Sequence, residues 1–233
     1  MLKLTPTNIS QIKDRSRREW IGQTAATIHC QYDEYFAALE VSTGALETIC
    51  ESTVKWAAGQ GVNGRRDAAQ LCVTTISLGH RFWRDTRFHG ALERSLADRE
   101  LRRSDAVEEL VDFTSEWLGA LWRDDSISAY AGRLAHHVAR NAPLTDMVIR
   151  EVIPGHWALF GEVQNTQIVA WLVSLTRNPE PRGRELAFVA GALVHGVGWF
   201  ADPQYARLSR TISEVVDPAA LAGELHRIYE AIG

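Results

Sequence analysis

The segment Gly79–Phe88 reads GHRFWRDTRF, and a similar segment, GVGWFADPQY, occupies Gly196–Tyr205. Glycine faces glycine at the first position, aspartate faces aspartate at the seventh, and aromatic residues face one another at the fourth, fifth and tenth. The offset from Gly79 to Gly196 is 117 residues, about half of the 233-residue chain. A constant offset of this size is typical of an internal repeat. We therefore predict two diverged copies of one helical unit, residues 1–124 and 125–233, packed together as one compact unit.

The same offset relates residues upstream of the two segments, on the core-facing side of one predicted helix in each half. The facing pairs are Arg65 and Arg182, Leu71 and Phe188, and Ile76 and Leu193. Apolar residues recur at helical spacing along the rest of the chain. No alternating apolar and polar run is flanked by hairpin turns, so we expect almost no strand. The sequence therefore predicts an all-α fold.

Capping residues and turns predict where the helices begin and end. Asp202-Pro203 and Asp217-Pro218 each combine a capping carboxylate with a proline suited to the first turn. We expect Asp85 to cap a short helix in the same way. Predicted helices start at Thr7 or Asn8, Ser42 or Thr43, Asp67, Ser104, Ser128, Gln164 and Arg184, the first ends near His29, the one from Arg184 ends at Trp199, and Pro154-Gly155 and Arg177–Pro181 are interruptions.

Composition excludes several functional classes. The chain is 45% hydrophobic and 23% charged, with a net charge of −4, which gives no electrostatic reason to expect nucleic-acid binding. No window approaches the roughly 18 consecutive apolar residues that span a bilayer. A chain of this length can bury a core without a disulfide or metal, so we expect no cofactor.

Cysteine usage and the N-terminus indicate the compartment. Cys30, Cys50 and Cys72 are odd in number and form no CxxC pair, which favours free, mostly buried thiols in a reducing compartment. The first charges are followed by no apolar run, so no secretory signal is readable. We expect a cytoplasmic protein.

No set of residues forms a catalytic or metal-binding motif. His80 and His89 are expected on different helices, so a metal site with Asp85 is disfavoured. His136 and His137 are neighbours and point about 100° apart on a helix. The chain lacks a Gly-x-Ser-x-Gly elbow and a phosphate-cradling glycine loop. For the remaining candidates a structural role is favoured over a functional one. These roles are a hydrogen-bonded core imidazole for His195, a solvated pair for His226 and Glu230, an inert thiol for Cys72, and helix packing for Gly191, Gly196 and Gly198. We therefore predict no catalytic, cofactor-binding or metal-binding residues.

The eight tryptophans are the remaining candidates for recognition, since tryptophan is common in binding hot spots. Trp83 and Trp199 are expected in the core at the two similar segments. Trp56, Trp122 and Trp157 lie beside turns or charges and are better candidates for exposure. The arginine clusters at residues 15–18 and 99–103 have acidic neighbours, which indicates solvated mixed-charge faces.

Residues Lys55–Phe88 resemble a family of small helical proteins encoded beside spike and effector genes of bacterial type VI secretion loci. The resemblance lies in an amphipathic helix, a Gly-Val turn at 61–62, Arg66-Asp67, a long apolar helix, and Gly79, Phe82 and Asp85 in order. Thr86 replaces the family's proline, whereas Pro203 has it in the second half. The Arg- and aromatic-bearing helix from Gln11 to Tyr35 is similar to the leader of that group.

This resemblance implies a non-enzymatic accessory factor, a chaperone or adaptor that binds a secreted effector or spike protein. A cytoplasmic immunity protein that binds and inhibits a toxin is the alternative it leaves open. A different alternative is a small-molecule-binding or enzymatic domain with a pocket between the two copies, lined by His80, Trp83, His195 and Trp199.

Overall fold

The computed structural model describes residues 6–97, 101–123, 125–160, 162–175 and 182–233. These residues form α-helices, short 3₁₀ turns and loops, with no strand among them, which confirms the predicted all-α class. The helices are α1 Pro6–Gln31, α2 Asp33–Ala38, α3 Thr43–Gly59, α4 Arg65–Leu78, α5 His89–Ser95, α6 Arg103–Leu121, α7 Ile127–Ala139, α8 Asp146–Val152, α9 Pro154–Leu159, α10 Glu162–Leu175, α11 Arg182–His195, α12 Ala206–Glu214 and α13 Pro218–Ile232.

Side-chain caps set several helix starts. Ser42, Ser126 and Asp217 each accept a hydrogen bond from the amide three residues later, at 3.2, 3.1 and 2.8 Å respectively. Such a cap satisfies one of the four amides that have no partner within the helix. The predicted starts at Ser42 and Asp217 are therefore confirmed.

Other predicted boundaries were wrong. α1 already includes Pro6, where a proline fits the first turn, so neither Thr7 nor Asn8 is its cap. α6 is preceded by Arg102 and not capped by Ser104. α11 ends at His195, because Gly196 adopts a positive φ and turns the chain before Trp199. The predicted turn at 177–181 lies outside the described residues.

Gly79–Phe88 and Gly196–Tyr205, which we name the paired junction, share the same order of turns, although Arg81 has a φ of +60° where Gly198 has −85°. Gly79 ends α4 with φ +97° and ψ 150°, and Gly196 follows α11 with φ +92°. Each glycine is followed by a 3₁₀ turn, an aspartate, and a second 3₁₀ turn. The aspartate side chain accepts a hydrogen bond from a backbone amide of this second turn. Asp85 thus accepts from the Arg87 amide at 3.0 Å, and Asp202 accepts from the Gln204 amide at 2.9 Å.

The two segments of the paired junction are in direct contact. The Asp85 carboxylate accepts from the Val197 amide at 3.3 Å, and the Asp202 carboxylate accepts from the His80 amide at 2.7 Å. A Cβ atom at Gly79 would lie 1.9 Å from the carbonyl oxygen of His195. The two backbones therefore approach each other more closely than any side chain at Gly79 would allow.

Residue 87 in one segment and residue 204 in the other reach across to the opposite helix end. Arg87 donates to the carbonyl oxygens of Ala192 and Leu193, both at 2.9 Å, in the last turn of α11. Gln204 donates to the carbonyl of Ile76 at 3.3 Å, in the last turn of α4. Carbonyls in the last turn lack full helical partners, so each half supplies a C-terminal cap to the apolar helix of the other.

The core has two parts. The larger one contains buried apolar side chains from α1, α3 and α4 together with side chains from α7, α11 and α13, so it spans both sides of residue 124. The smaller one lies among α3, α4, α5 and α6 and includes Phe82, Phe88 and Trp117. No helix in the described part of the chain is long and apolar enough to cross a bilayer.

We expect Gly79→Ala and Gly196→Ala to destabilise the fold by about 3 kcal/mol or more each. Both glycines have a positive φ, and an added Cβ atom at either position would collide with a backbone carbonyl. Gly223, exposed within α13, has open space around it, so Gly223→Ala should instead stabilise by about 0.5–1 kcal/mol. Urea unfolding curves of the three variants measure both effects. Neutral substitutions at Gly79 and Gly196 would contradict the close approach of the two backbones.

Candidate functional site

One pocket, with a volume of about 250 Å³, lies between the two halves. Its walls come from α1, α2, α4 and α6 on one side and from α7, α11, Tyr205 and α13 on the other. The lining is mostly aliphatic and aromatic, with Ser77 and His195 as its other members, and no Asp, Glu, Lys or Arg side chain is part of it. Tyr32 and Val73, 44% and 37% exposed, mark its mouth. A concave site of this kind is the usual setting for an apolar ligand.

Tyr35, Tyr205 and Gln204 form a hydrogen-bonded cluster at the pocket. The two phenol oxygens are 3.3 Å apart, and the Gln204 side-chain nitrogen lies 3.0 Å from that of Tyr35 and 3.1 Å from that of Tyr205. Gln204 and Tyr205 are buried, whereas Tyr35 is half-buried and lines the pocket. Burial raises the pKa of both phenols, so their hydroxyl groups are protonated donors.

His195 forms a second polar contact of the pocket, with Tyr229. Its Nε2 is 2.9 Å from the Tyr229 hydroxyl, and the two rings are stacked with centroids 5.7 Å apart. Burial lowers the pKa of His195 to about 3, so the imidazole is neutral at physiological pH. The prediction of a hydrogen-bonded core imidazole is confirmed.

The two aspartates of the paired junction differ in charge compensation. Arg87 pairs with Asp85 through a buried salt bridge at 2.6 Å. Asp202 instead has Gln204 beside it, and burial raises the pKa of Asp202 to about 6, against the opposing effect of the Gln204 and His80 amides. Among the residues that the structure describes, no cation lies beside the buried carboxylate of Asp202.

A separate buried polar cluster surrounds Arg87. The His156 Nε2 lies 3.2 Å from the Arg87 guanidinium, and burial together with the Arg87 charge lowers the pKa of His156 to about 3. Arg87 also lies over the rings of Phe88 and Trp117. This cluster holds the guanidinium on its carboxylate and helix-end partners.

The pocket differs from the one predicted. Of His80, Trp83, Trp199 and His195, only His195 lines it. Trp199 is fully buried and donates from its indole nitrogen to the Phe188 carbonyl at 3.2 Å. Trp83 stacks on Trp56 at 4.5 Å along a separate surface groove. The prediction was wrong because the paired junction brings the backbones of the two segments together and turns these aromatic rings to different sides.

Other sequence candidates are dispersed. His89 is exposed, and the described residues contain no group of three or more His, Cys, Asp or Glu side chains placed to hold a metal. His136 is exposed, and His137 lies 3.0 Å from Glu151. His226 and Glu230 are an exposed pair 4.0 Å apart. Among the cysteines, Cys50 and Cys72 are buried and Cys30 is exposed.

Two of the tryptophan predictions were wrong. Trp157, expected to be exposed, is buried in the larger core because α9 begins at Pro154 and packs against α6 and α8. Trp83, expected in the core, is only half-buried. Trp56 and Trp122 are half-buried, and Trp122 lines the pocket.

Sequence reasoning missed Tyr35, Gln204, Tyr205 and Tyr229 as a polar group around one cavity. One signal was available: position 204 carries glutamine where the first segment carries Arg87. That difference marks a change in chemistry at otherwise similar positions.

Comparisons with known proteins give no relative. No protein-family profile matches the chain, and no curated protein or solved structure matches it significantly. The resemblance to type VI secretion accessory proteins therefore stays a prediction.

We expect the stability of the protein to fall as pH decreases below about 6.5, because the unfolded chain binds protons that buried His195 rejects until about pH 3. His195→Gln should reduce the slope of unfolding free energy against pH by up to about 1.4 kcal/mol per pH unit between pH 6 and 4. The exposed His136 supplies the control, His136→Gln, which should leave the slope unchanged.

Urea unfolding at several pH values measures this slope for each variant. His80 and His156, whose pKa values burial also lowers, act in the same direction as His195, while Asp202 with its raised pKa opposes them. The comparison is therefore made between variants and not on the wild type alone. An identical slope in wild type and His195→Gln would contradict the buried neutral imidazole.

Proposed function

We propose that the protein binds a small, largely apolar molecule in the pocket between its two halves. The observation that carries this proposal is the cavity itself, about 250 Å³ in volume and lined mainly by aliphatic and aromatic side chains, with no Asp, Glu, Lys or Arg among them. An apolar cavity of about 150 Å³ is enough to hold a benzene molecule. A single ring with a short substituent therefore fits.

The groups around the pocket favour binding over catalysis. His195 is neutral, and its hydrogen-bond partner is a phenol whose pKa burial raises, which makes that phenol a poor nucleophile. Neither buried cysteine lines the pocket. The few polar groups are placed to orient a ligand, as in binding sites with a mostly apolar lining.

Isopropylbenzene is a suitable probe for this pocket, because it is one ring with a three-carbon substituent and no polar group. We expect saturation-transfer NMR to detect its binding to the wild type and a ligand-dependent rise in melting temperature. Val73→Trp, which fills the mouth, should weaken binding at least about tenfold, a loss of about 1.4 kcal/mol. Val216→Trp, at a site 71% exposed and away from the pocket, is the control.

Absence of binding to the wild type would refute the proposed function. Equal binding by wild type and Val73→Trp would place the ligand elsewhere on the molecule.

We also infer that the two halves are diverged copies related by an approximate twofold axis. This inference is supported by helix bounds, since α4 at 65–78 and α11 at 182–195 have equal lengths and begin 117 residues apart. The two 3₁₀ turns of each segment keep the same offset. The hydrogen bonds of the paired junction are reciprocal as well. A similar loss of stability in Gly79→Ala and Gly196→Ala tests the equivalence; a large loss at one glycine and none at the other would contradict it.

A second candidate function is the accessory role implied by the resemblance to type VI secretion proteins. Its structural support is the half-buried stack of Trp56 and Trp83, since tryptophan is enriched in binding hot spots. The partner would be a secreted effector or spike protein, held by a chaperone or adaptor, or inhibited if the protein confers immunity.

A pull-down of the tagged protein from its native host, read by mass spectrometry, tests this role. We expect an effector or spike protein in near-equal amount with the wild type and its loss with Trp83→Ser, because the exposed aromatic surface is removed. Phe200→Ser alters an aromatic residue that is 38% exposed at the corresponding position of the second segment and should retain the partner. Recovery of the protein without such a partner would contradict the accessory role.

A further inference from the structure

The cluster of Tyr35, Tyr205 and Gln204 has one hydrogen-bond donor too many. The Gln204 side-chain nitrogen carries two hydrogens and has three oxygens within 3.3 Å, those of Tyr35, Tyr205 and the Ile76 carbonyl. The nitrogen and oxygen of the Gln204 side-chain amide cannot be exchanged, because the oxygen would then face the carbonyl oxygen of Ile76. The Gln204 oxygen has no donor partner in the described residues.

The two phenols contribute two further hydrogens. Only one of them can lie between the Tyr35 and Tyr205 oxygens, which are 3.3 Å apart. The second phenolic hydrogen has no acceptor among the described residues. Such an unpaired donor beside an apolar cavity is costly unless a ligand or water supplies the acceptor.

Exposure assigns the free donor to Tyr35. Both tyrosines line the pocket, but Tyr205 is 2% exposed, whereas Tyr35 is half-buried and reaches the pocket from α2. If Tyr205 donates to the Tyr35 oxygen, the hydroxyl hydrogen of Tyr35 turns away from the cluster and toward the cavity. The ligand must then carry an acceptor at that point.

Electrostatics around the cavity favour a neutral ligand. An anion would meet no cation in the lining, and the charge of the buried Asp202 carboxylate is close enough to raise the pKa of both phenols. A cation would find aromatic faces but no carboxylate in the lining, and it would leave the Tyr35 hydroxyl without an acceptor. Charged groups are costly to bury without a partner.

We propose that the pocket selects neutral single-ring molecules with a carbonyl oxygen, which accepts a hydrogen bond from the Tyr35 hydroxyl. This inference rests on the proposed function and specifies its ligand class. The contact would satisfy the unpaired donor, and the aliphatic and aromatic walls would enclose the ring. Sites that offer a hydrogen bond to a ligand discriminate against analogues that lack the matching group.

Four probes of nearly equal shape test the proposal: acetophenone, isopropylbenzene, benzoate and benzamidinium, each a phenyl ring with a branched three-atom substituent. Dissociation constants are measured by NMR titration for the wild type, Tyr35→Phe, Tyr205→Phe and Tyr32→Phe. Tyr32 is the matched control, because it is an exposed tyrosine at the mouth of the same pocket.

We expect Tyr35→Phe to reduce the ratio of acetophenone affinity to isopropylbenzene affinity about tenfold, as loss of one hydrogen bond predicts. Isopropylbenzene should bind Tyr35→Phe at least as tightly as the wild type, because no hydroxyl is then left unpaired, and this binding also shows that the variant is folded. Tyr32→Phe and Tyr205→Phe should keep the wild-type ratio. Benzoate and benzamidinium should bind more weakly than acetophenone.

Three outcomes would overturn the inference while leaving the proposed function intact. These are an unchanged affinity ratio in Tyr35→Phe, loss of the ratio in Tyr205→Phe alone, and tighter binding of benzoate or benzamidinium than of acetophenone. If neither neutral probe binds the wild type, the proposed function itself fails and the inference fails with it.

Discussion

The reciprocal hydrogen bonds of Asp85 and Asp202 hold the two halves of this protein at a fixed distance. Each carboxylate accepts one hydrogen bond from a backbone amide of its own 3₁₀ turn and another from a backbone amide of the opposite segment. A buried carboxylate is tolerated only where donors surround it. The glycines that end α4 and start the second segment make the necessary approach possible, since a Cβ atom at Gly79 would collide with a backbone carbonyl. The position of α4 against α11, and with it the pocket, depends on this contact.

Similar backbones carry different chemistry on the two sides of the paired junction. Arg87 neutralises Asp85 and donates to two carbonyls at the end of α11. Gln204 is shorter and neutral, so Asp202 keeps its charge uncompensated and the space beside it is occupied by the phenols of Tyr35 and Tyr205. The substitution of a glutamine for an arginine thus accompanies the opening of a polar, donor-rich wall on one side only.

The sequence was sufficient for the features that local rules control. The helical class, the caps at Ser42 and Asp217, and the aspartate-led turns of the paired junction follow from residue types at short spacing. The pocket could not be derived in this way, because Tyr35 and Tyr205 meet across 170 positions of sequence and carry no motif between them. The orientation of Trp83 and Trp199 could not be predicted from the sequence either, because it depends on the direction in which the chain continues after Gly79 and Gly196.

The exchange of helix caps has a consequence for how the chain folds. α11 receives its C-terminal donors from Arg87, 105 and 106 residues earlier, and α4 receives one from Gln204, 128 residues later. Each apolar helix thus receives part of its C-terminal cap from the other half, so both must form before either cap is complete. Contacts at such separation slow folding, because the loop must close before the contact contributes. We therefore expect the docking of the two halves, and not the formation of the individual helices, to set the folding rate.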